Sequence, residues 1–155
     1  MSLLHNLGND KQWAIYLNKK RKDHHTHPRE LRFLEAFVAE KRYLPIARQM
    51  LREDYLLPLP RKALISKKNT DKKRIVYFFP PDEHLMLKLL NHLMIRKYDE
   101  RLSDACHSFH VGRSVKTVMH RIGHLENLEE KYSLKLDISS YGNSIPVEAL
   151  LQATG

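Results

Sequence analysis

The chain has 155 residues, enough for one domain, or for one domain plus the first elements of another. Its 42% hydrophobic content supports a packed core and argues against disorder. Lys and Arg total 27 against 18 Asp and Glu, a formal net charge of +9 with 10 His uncounted. This excess favours a polyanionic partner, with nucleic acid ahead of a membrane surface, and the alternative is a basic protein without such a partner.

The sequence predicts neither export nor membrane insertion. The N-terminus reaches Asp10 and Lys11 too early for a signal peptide, and the longest apolar run, HLMLKLLNHLMI, is interrupted by Lys88 and is too short to span a bilayer. A single cysteine, Cys106, excludes an internal disulfide and fits a reducing compartment. We therefore expect a cytoplasmic protein with no membrane partner.

Three helices are predicted in the first part of the chain. The segment KQWAIYLNKKRK indicates the first, Pro28 begins the second, and Pro45 begins a third that the prolines of LPLP stop. The second helix carries one apolar stripe that belongs in a core, formed by Leu31, Leu34, Phe37 and Val38.

After Pro60 the sequence predicts both strands and helices. The runs KALISKK and KKRIVYFF flank the turn-type sequence KNTD and predict a β-hairpin. A long apolar helix capped by Asp82 follows, then a loop and a helix capped by Ser114. The segment YSLKLDI predicts a buried strand, and Pro146 begins one further helix. The order predicts an α+β fold.

The hairpin turn concentrates positive charge. Lys supplies point charges and Arg a bidentate fork for phosphate oxygens, so the turn suits a nucleotide triphosphate or a nucleic-acid backbone. The alternative is that the lysines only block edge-to-edge strand pairing. The cations are Lys67, Lys68, Lys72, Lys73 and Arg74.

Two further places are candidates for chemistry. In SFHVGRSV, Gly112 permits a tight backbone turn beside Arg113 at a helix start, where phosphate is attracted, although many helices begin this way without a ligand. In LKLDI, Asp137 lies between apolar neighbours, which favours a paired or metal-bound carboxylate. A structural role in the following turn is equally compatible with the pattern, and two-metal chemistry needs further carboxylates.

Taken in order, these segments resemble the reverse transcriptases of bacterial retroelements, which include group II intron, retron and related defence enzymes. The resemblance runs from about Leu59 to about Leu151. The segment ISKKNTDKKRIVYFFP is similar to the fingers hairpin of this family, where a lysine and an arginine grip the triphosphate of the incoming nucleotide. The resemblance therefore implies that role for Lys67 and Arg74.

The second matching block is DACHSFHVGRSVKTVMHRI. It resembles a family block that ends in Gly-Arg-Ser before a helix, and Phe109 and Gly112 match it, whereas His110 stands where arginine is common. With the hairpin, this block implies a set of nucleic-acid contacts: Lys68, Lys72, Lys73, His110, Arg113 and Ser114.

The third block, KLDISSYGNSIP, resembles the first palm motif of the family. The resemblance implies that Asp137 is a metal-binding catalytic carboxylate and that the Ile138 carbonyl is a further Mg²⁺ ligand. Tyr141 and Gly142 would then adjoin the nucleotide. Gly142 replaces an aromatic residue that excludes the ribose 2′-hydroxyl. We therefore expect weak sugar discrimination, or a shifted Tyr141 that supplies it.

The resemblance implies a helical N-terminal extension over 1–58, a fingers subdomain over 59–131 and the start of a palm subdomain over 132–155. It implies an RNA-directed DNA polymerase, a nucleotidyltransferase that uses an RNA template, a DNA or RNA primer, dNTP and Mg²⁺. The family's later Asp-Asp motif does not occur in these 155 residues. We therefore expect this chain alone to be inactive, with the remaining palm and the thumb supplied by a longer parent.

Two alternatives to the polymerase remain from the sequence. One is a non-catalytic RNA-binding module of a retroelement or maturase-like protein, which needs basic surfaces but no carboxylates. The other is a plain basic interaction domain, for which the three matching blocks would be coincidence.

Overall fold

A computed structural model describes residues 3–52, 54–66, 70–71, 73–108, 110, 112–138, 146, 148–149 and 152. The chain divides into two compact units, Met1–Ser114 and Val115–Gly155. The fold is mixed α+β, as predicted, and its sheet within the described residues is one antiparallel pair of strands.

The first unit is mainly helical. It begins with a 3-10 helix, Leu3–Gly8, and ends its regular structure with another, Asp99–Arg101. Between them lie α1 (Asp10–Lys22), α2 (Pro28–Ala39), α3 (Tyr43–Met50), β1 (Arg61–Ser66), β2 (Lys73–Phe78) and α4 (Pro81–Tyr98).

Local side chains fix where these helices begin. The Asn9 side chain accepts a hydrogen bond from the Lys11 backbone N–H (2.9 Å) and caps α1. His27 Nδ1 accepts from the Arg29 N–H (3.2 Å), and Pro28 is the first residue of α2, as predicted. The next helix, α3, begins at Tyr43, two positions before the predicted start at Pro45, because proline is tolerated within a first helical turn.

The end of α2 turns the chain sharply. Lys41 has φ of 52°, the left-handed conformation that commonly ends a helix. The Arg42 N–H then donates to the Phe37 carbonyl (3.1 Å), and the Lys41 N–H donates to the Val38 carbonyl (3.1 Å). This Schellman motif satisfies carbonyls of the last turn of α2 and sets the direction in which α3 leaves.

One hydrophobic core unites the helices of the first unit. Trp13 is fully buried, its ring centroid lying 5.1 Å from that of Tyr43 and 5.2 Å from that of Phe37. Its indole N–H donates to the Leu7 carbonyl (2.7 Å), so the buried polar atom is satisfied. The core comprises Leu7, Trp13, Tyr16, Leu17, Leu34, Phe37, Tyr43, Ala47, Leu85, Met86, Leu89 and Leu93.

This core explains which sequence patterns fold as predicted. Leu34 and Phe37 of the predicted stripe are buried, while Leu31 and Val38 pack against the core at its edge. Leu85 and Met86 of α4 join the same core, so this helix packs with the predicted N-terminal extension. The subdomain boundaries predicted after residues 58 and 131 stay predictions. The structure divides the chain into its two compact units after Ser114.

The predicted hairpin is confirmed. Its two strands pair antiparallel from Arg61 opposite Phe78 to Ser66 opposite Lys73. Ala63 and Val76 face each other and are the half-buried pair, whereas the other described residues of the two strands are exposed.

Two predictions about helix ends and strands are wrong. Asp82 does not cap α4, which begins at Pro81 without a side-chain cap, because its carboxylate binds Arg42 instead. Residues 132–138, where YSLKLDI predicted a buried strand, are exposed and belong to no strand. A strand needs a partner for its backbone groups, and none pairs with this segment among the described residues.

The second unit is described by itself. It contains α5 (Val115–Gly123), which begins where the helix after Ser114 was predicted, and a 3-10 helix, Leu128–Glu130. Three apolar side chains of α5 are exposed, those of Val115, Met119 and Ile122. Residues 148–149 and 152 are helical, and the other positions of the helix predicted after Pro146 lie outside the described residues.

Candidate nucleotide and nucleic-acid site

The β-hairpin presents two of the predicted phosphate-binding cations. Arg74 lies opposite Ile65 and Lys73 opposite Ser66, and both cations are exposed at the turn end of the described ladder. Consecutive residues of a strand point to opposite faces, so the two cations flank the hairpin on both sides. Lys67, Lys68 and Lys72 lie outside the described residues.

One face of the hairpin combines cations with apolar and aromatic side chains. Lys62 and Tyr77 are directly opposite each other, and Leu64 is opposite Ile75 on the same face, which also carries Lys73. The side chains of Leu64, Ile75 and Tyr77 are at least half exposed. We call the surface formed by Lys62, Leu64, Lys73, Ile75 and Tyr77 the open hairpin face.

The opposite face of the hairpin is partly covered by its own side chains. The Arg61 guanidinium lies 5.7 Å from the Phe78 ring centroid, within the range of a cation–π contact. Arg74 shares this face with Arg61 and Phe78 but lies at the other end of the strands. The two arginines therefore have different surroundings, which makes Arg61 a useful control for Arg74.

Arg113 is used inside its own loop. One of its terminal nitrogens donates to the backbone carbonyls of Asp104 (2.7 Å), Cys106 (2.8 Å) and Ser103 (3.3 Å). Its other terminal nitrogen pairs with the Asp104 carboxylate at 3.0 Å, and the side chain is only 20% exposed. A guanidinium with several donors in a fixed plane suits this role, since it can satisfy several loop carbonyls at once.

His110 is also bound internally. Its Nδ1 lies 3.0 Å from the Asp99 carboxylate, and the imidazole is only 12% exposed. His110 and Arg113 therefore organise the loop between α4 and α5. Direct contact of either side chain with a ligand would require the bonds described above to break. The role of Arg113 inside the loop could not be predicted from the sequence, because its acceptors are backbone carbonyls and every residue has one.

Two other features of this segment agree with the predicted turn and helix start. Gly112 has φ of 76°, a conformation that residues with a side chain rarely adopt, so the backbone favours glycine here although an added Cβ would meet no atom within 4 Å. Ser114 directly precedes α5, which begins at Val115. Phe109, the remaining matched position of the block, lies outside the described residues.

Asp137 and Ile138 are exposed residues of the second unit and belong to no described strand. A carboxylate and a backbone carbonyl are oxygen ligands of the kind that Mg²⁺ prefers. Within the described residues, however, no group of three or more His, Cys, Asp or Glu side chains could hold a metal ion. The donors therefore suit Mg²⁺ chemically without forming a complete site there, and Tyr141 and Gly142 lie outside the described residues.

The sequence-predicted positions fall into separate groups. Lys73 and Arg74 lie together on β2, while His110 and Arg113 lie together in the loop before α5, with the Arg113 N–H donating to the His110 carbonyl (3.4 Å). Asp137 belongs to the second compact unit. Lys62 and Tyr77 were not among the predicted site residues, although the alternation of side chains along each strand indicates which residues share a face with Lys73.

Comparisons of the chain with known protein families, curated proteins and solved structures find no match. Within the part of the chain that the structure describes, every helix is too short or too polar to cross a bilayer.

Proposed function

We propose that this chain is the fingers and first palm segment of an RNA-directed DNA polymerase that binds a template–primer duplex and an incoming dNTP. The observation that carries the proposal is the antiparallel hairpin, which presents Lys73 and Arg74 exposed at its turn end. The sequence resemblance implies that Lys67 and Arg74 contact the triphosphate of the incoming nucleotide.

The chemistry of the hairpin suits this role. An exposed guanidinium can form bidentate hydrogen bonds with phosphate oxygens, and lysines add positive charge without imposing a fixed geometry. We assign Arg74 and Lys67 to the triphosphate, and Lys68, Lys72 and Lys73 to the nucleic-acid backbone. We assign Asp137, with the Ile138 carbonyl, to a Mg²⁺ ion. A cytoplasmic location accords with these partners.

Binding of a fluorescent dNTP to the full chain in the presence of Mg²⁺ tests the proposal. Arg74→Gln and Lys67→Gln should each weaken binding by about tenfold, because each removes a charge-assisted contact to phosphate. Arg61→Gln is the matched control: it removes a cation from the same face of the hairpin, at the far end of the strands, and should change affinity by less than about twofold. Equal effects of all three substitutions, or no dNTP binding, would refute the proposal.

A second candidate function is RNA binding without catalysis, and the open hairpin face favours it. Single-stranded RNA is recognised by aromatic side chains that stack on unpaired bases and by nearby cations that contact phosphates. Tyr77 is exposed on that face, with Lys62 opposite it and Lys73 along the same strand.

Fluorescence anisotropy with a labelled single-stranded RNA distinguishes this second function. Tyr77→Ala should weaken RNA binding by about tenfold through lost stacking, while Tyr132→Ala, at a fully exposed tyrosine of the second unit, should have no effect. Lys62→Gln should reduce the salt dependence by about one counterion. Asp137→Asn should leave RNA binding unchanged. If the chain has no RNA affinity at low salt, or if Tyr77→Ala leaves that affinity unchanged, the RNA-binding function is wrong.

A further inference from the structure

A cleft lies between α1 and α4, and none of its lining residues belongs to the hairpin or to the loop before α5. Its volume is about 220 Å³, and it is lined by Tyr16, Lys19, Lys20, Lys88, Asn91, His92 and Ile95. Three of these residues are lysines, so the cleft concentrates positive charge on the helical part of the first unit.

Two of the three lysines are neutralised by neighbouring carboxylates. The Lys88 ammonium lies 2.6 Å from a Glu30 carboxylate oxygen, and the Lys20 ammonium lies 3.6 Å from the Asp23 carboxylate. Lys19 differs from both. Its ammonium nitrogen lies 3.3 Å from His92 Nδ1, and within the described part of the chain it forms no ion pair.

The contact with His92 fixes the ammonium without cancelling its charge. A lysine ammonium can only donate, so Nδ1 accepts and the ring proton is carried by Nε2. Burial, with Lys19, Arg96 and Lys20 nearby, lowers the pKa of His92 to about 4, so the ring is neutral at pH 7. Lys19 is thereby held at the cleft by a neutral acceptor, and within the described residues no carboxylate offsets its charge.

His92 occupies this position at a cost. Its Nε2 is buried and has no hydrogen-bond partner among the described residues, which is unfavourable for folding. The ring also packs against Tyr16, with 5.4 Å between centroids, a contact that an apolar ring would make equally well. The buried Nε2 of His92 destabilises the fold, whereas its Nδ1 orients the Lys19 ammonium. This combination favours a binding role for Lys19.

We propose that the cleft between α1 and α4 binds a phosphate group through Lys19, with His92 as the positioning residue. The exposed Asn91 amide at the same cleft can donate a further hydrogen bond to a phosphate oxygen. The phosphate can belong to a free phosphorylated molecule or to a nucleic-acid backbone, since both present the same tetrahedral anion. The proposal does not depend on the hairpin or on Asp137.

Nuclear magnetic resonance of the full chain tests the cleft directly. Inorganic phosphate, titrated at constant ionic strength, should shift the His92 ring and Asn91 side-chain resonances saturably. Lys19→Gln should weaken that binding by about tenfold. Lys22→Gln is the matched control, because Lys22 is another exposed lysine in the last turn of α1 but does not line the cleft, and it should change affinity by less than about twofold.

A second variant separates positioning from charge. His92→Phe keeps a ring against Tyr16 but removes the acceptor of Lys19, so phosphate binding should weaken by about threefold or more although every lysine is retained. Circular dichroism should confirm that each variant is folded. Equal losses in Lys19→Gln and Lys22→Gln, or the absence of a saturable shift with phosphate, would overturn the proposal.

A titration with single-stranded RNA then identifies the source of the phosphate. If RNA shifts the same resonances and competes with inorganic phosphate, the cleft binds a nucleic-acid backbone. If RNA binds elsewhere and leaves these resonances unchanged while phosphate shifts them, the cleft serves a free phosphorylated molecule. Because Arg74→Gln should not alter these shifts, failure here is distinguishable from failure of the hairpin proposal.

Discussion

Arg42 and Asp82 form a two-point ion pair across 40 positions of sequence. The Arg42 Nε donates to one carboxylate oxygen at 3.0 Å, and a terminal nitrogen donates to the other oxygen. The same guanidinium lies 5.0 Å from the Phe33 ring centroid and 5.4 Å from that of Phe37. This contact links the residue before α3 to the first turn of α4.

Asp82→Asn should therefore lower the free energy of unfolding by about 1 kcal/mol, the upper part of the range for partly exposed ion pairs. Urea unfolding at neutral pH measures the change. Asp54→Asn is the control: the Arg52–Asp54 pair is also two-pointed, but its side chains are 67% and 70% exposed, against 34% and 29% for Arg42 and Asp82. An equal effect of the two substitutions would show that partial burial adds nothing to the Arg42–Asp82 pair.

Trp13→Phe should destabilise the first unit by about 2–3 kcal/mol. The substitution leaves a cavity beside Phe37 and Tyr43 and removes the donor to the Leu7 carbonyl. Circular dichroism is the suitable probe, because Trp13 is the single tryptophan and its fluorescence is lost in the variant. Tyr132→Phe, at a fully exposed aromatic residue, should leave the urea midpoint unchanged, and an unaltered midpoint in Trp13→Phe would contradict the packing described for the core.

His92 should make stability depend on pH in a defined direction. Burial lowers its pKa to about 4 in the folded chain, whereas an unfolded histidine has a pKa of about 6.5. Between these values the unfolded state binds more protons, so stability should rise as pH increases from 4 to 6.5 and should be lost as pH falls through that window.

Comparison with His92→Gln isolates this effect, because glutamine does not titrate. The unfolding free energy of the variant should rise less steeply over pH 4 to 6.5. Burial also lowers the pKa of His84, and ion pairing with Lys88 lowers that of Glu30, but both contributions are shared by the two proteins and cancel in the comparison. Identical pH profiles would show that His92 does not change its protonation on folding.

Arg113→Lys should loosen the loop around Cys106 almost as much as Arg113→Ala. A lysine ammonium cannot reproduce the planar set of bonds to the Asp104 and Cys106 carbonyls. The Cys106 thiol, which donates to the Ser108 carbonyl at 3.3 Å, should then react several-fold faster with a thiol reagent. Arg121→Lys in α5 should leave the rate unchanged, and full protection in Arg113→Lys would mean that charge alone orders the loop.

Local signals predicted the helices and the hairpin. Pro28 and the stripe containing Leu34 and Phe37 specify α2 within its own sequence, and the turn-type residues between two β-rich runs specify the hairpin. The prediction failed for Asp82, whose local sequence suits a helix cap but whose partner lies 40 positions away. It also failed for residues 132–138, because a strand depends on pairing that periodicity alone cannot supply.

Some features of the candidate sites could be predicted from the sequence, and others could not. Arg74 was predicted from charge beside a turn and lies exposed on β2. The internal bonds of Arg113 were not predicted, because they depend on how the loop folds back on itself. The contact between Lys19 and His92 joins positions 73 apart in the sequence, so no local pattern could have indicated it.

The position of the core along the chain has a consequence for biosynthesis. The last of the buried residues in the described chain is Leu93. Proteins are made from the N-terminus and domains generally fold as units during synthesis. The residues that enclose Trp13 are therefore all synthesised before residues 115–155, and the first unit can begin to fold while the second is still being translated.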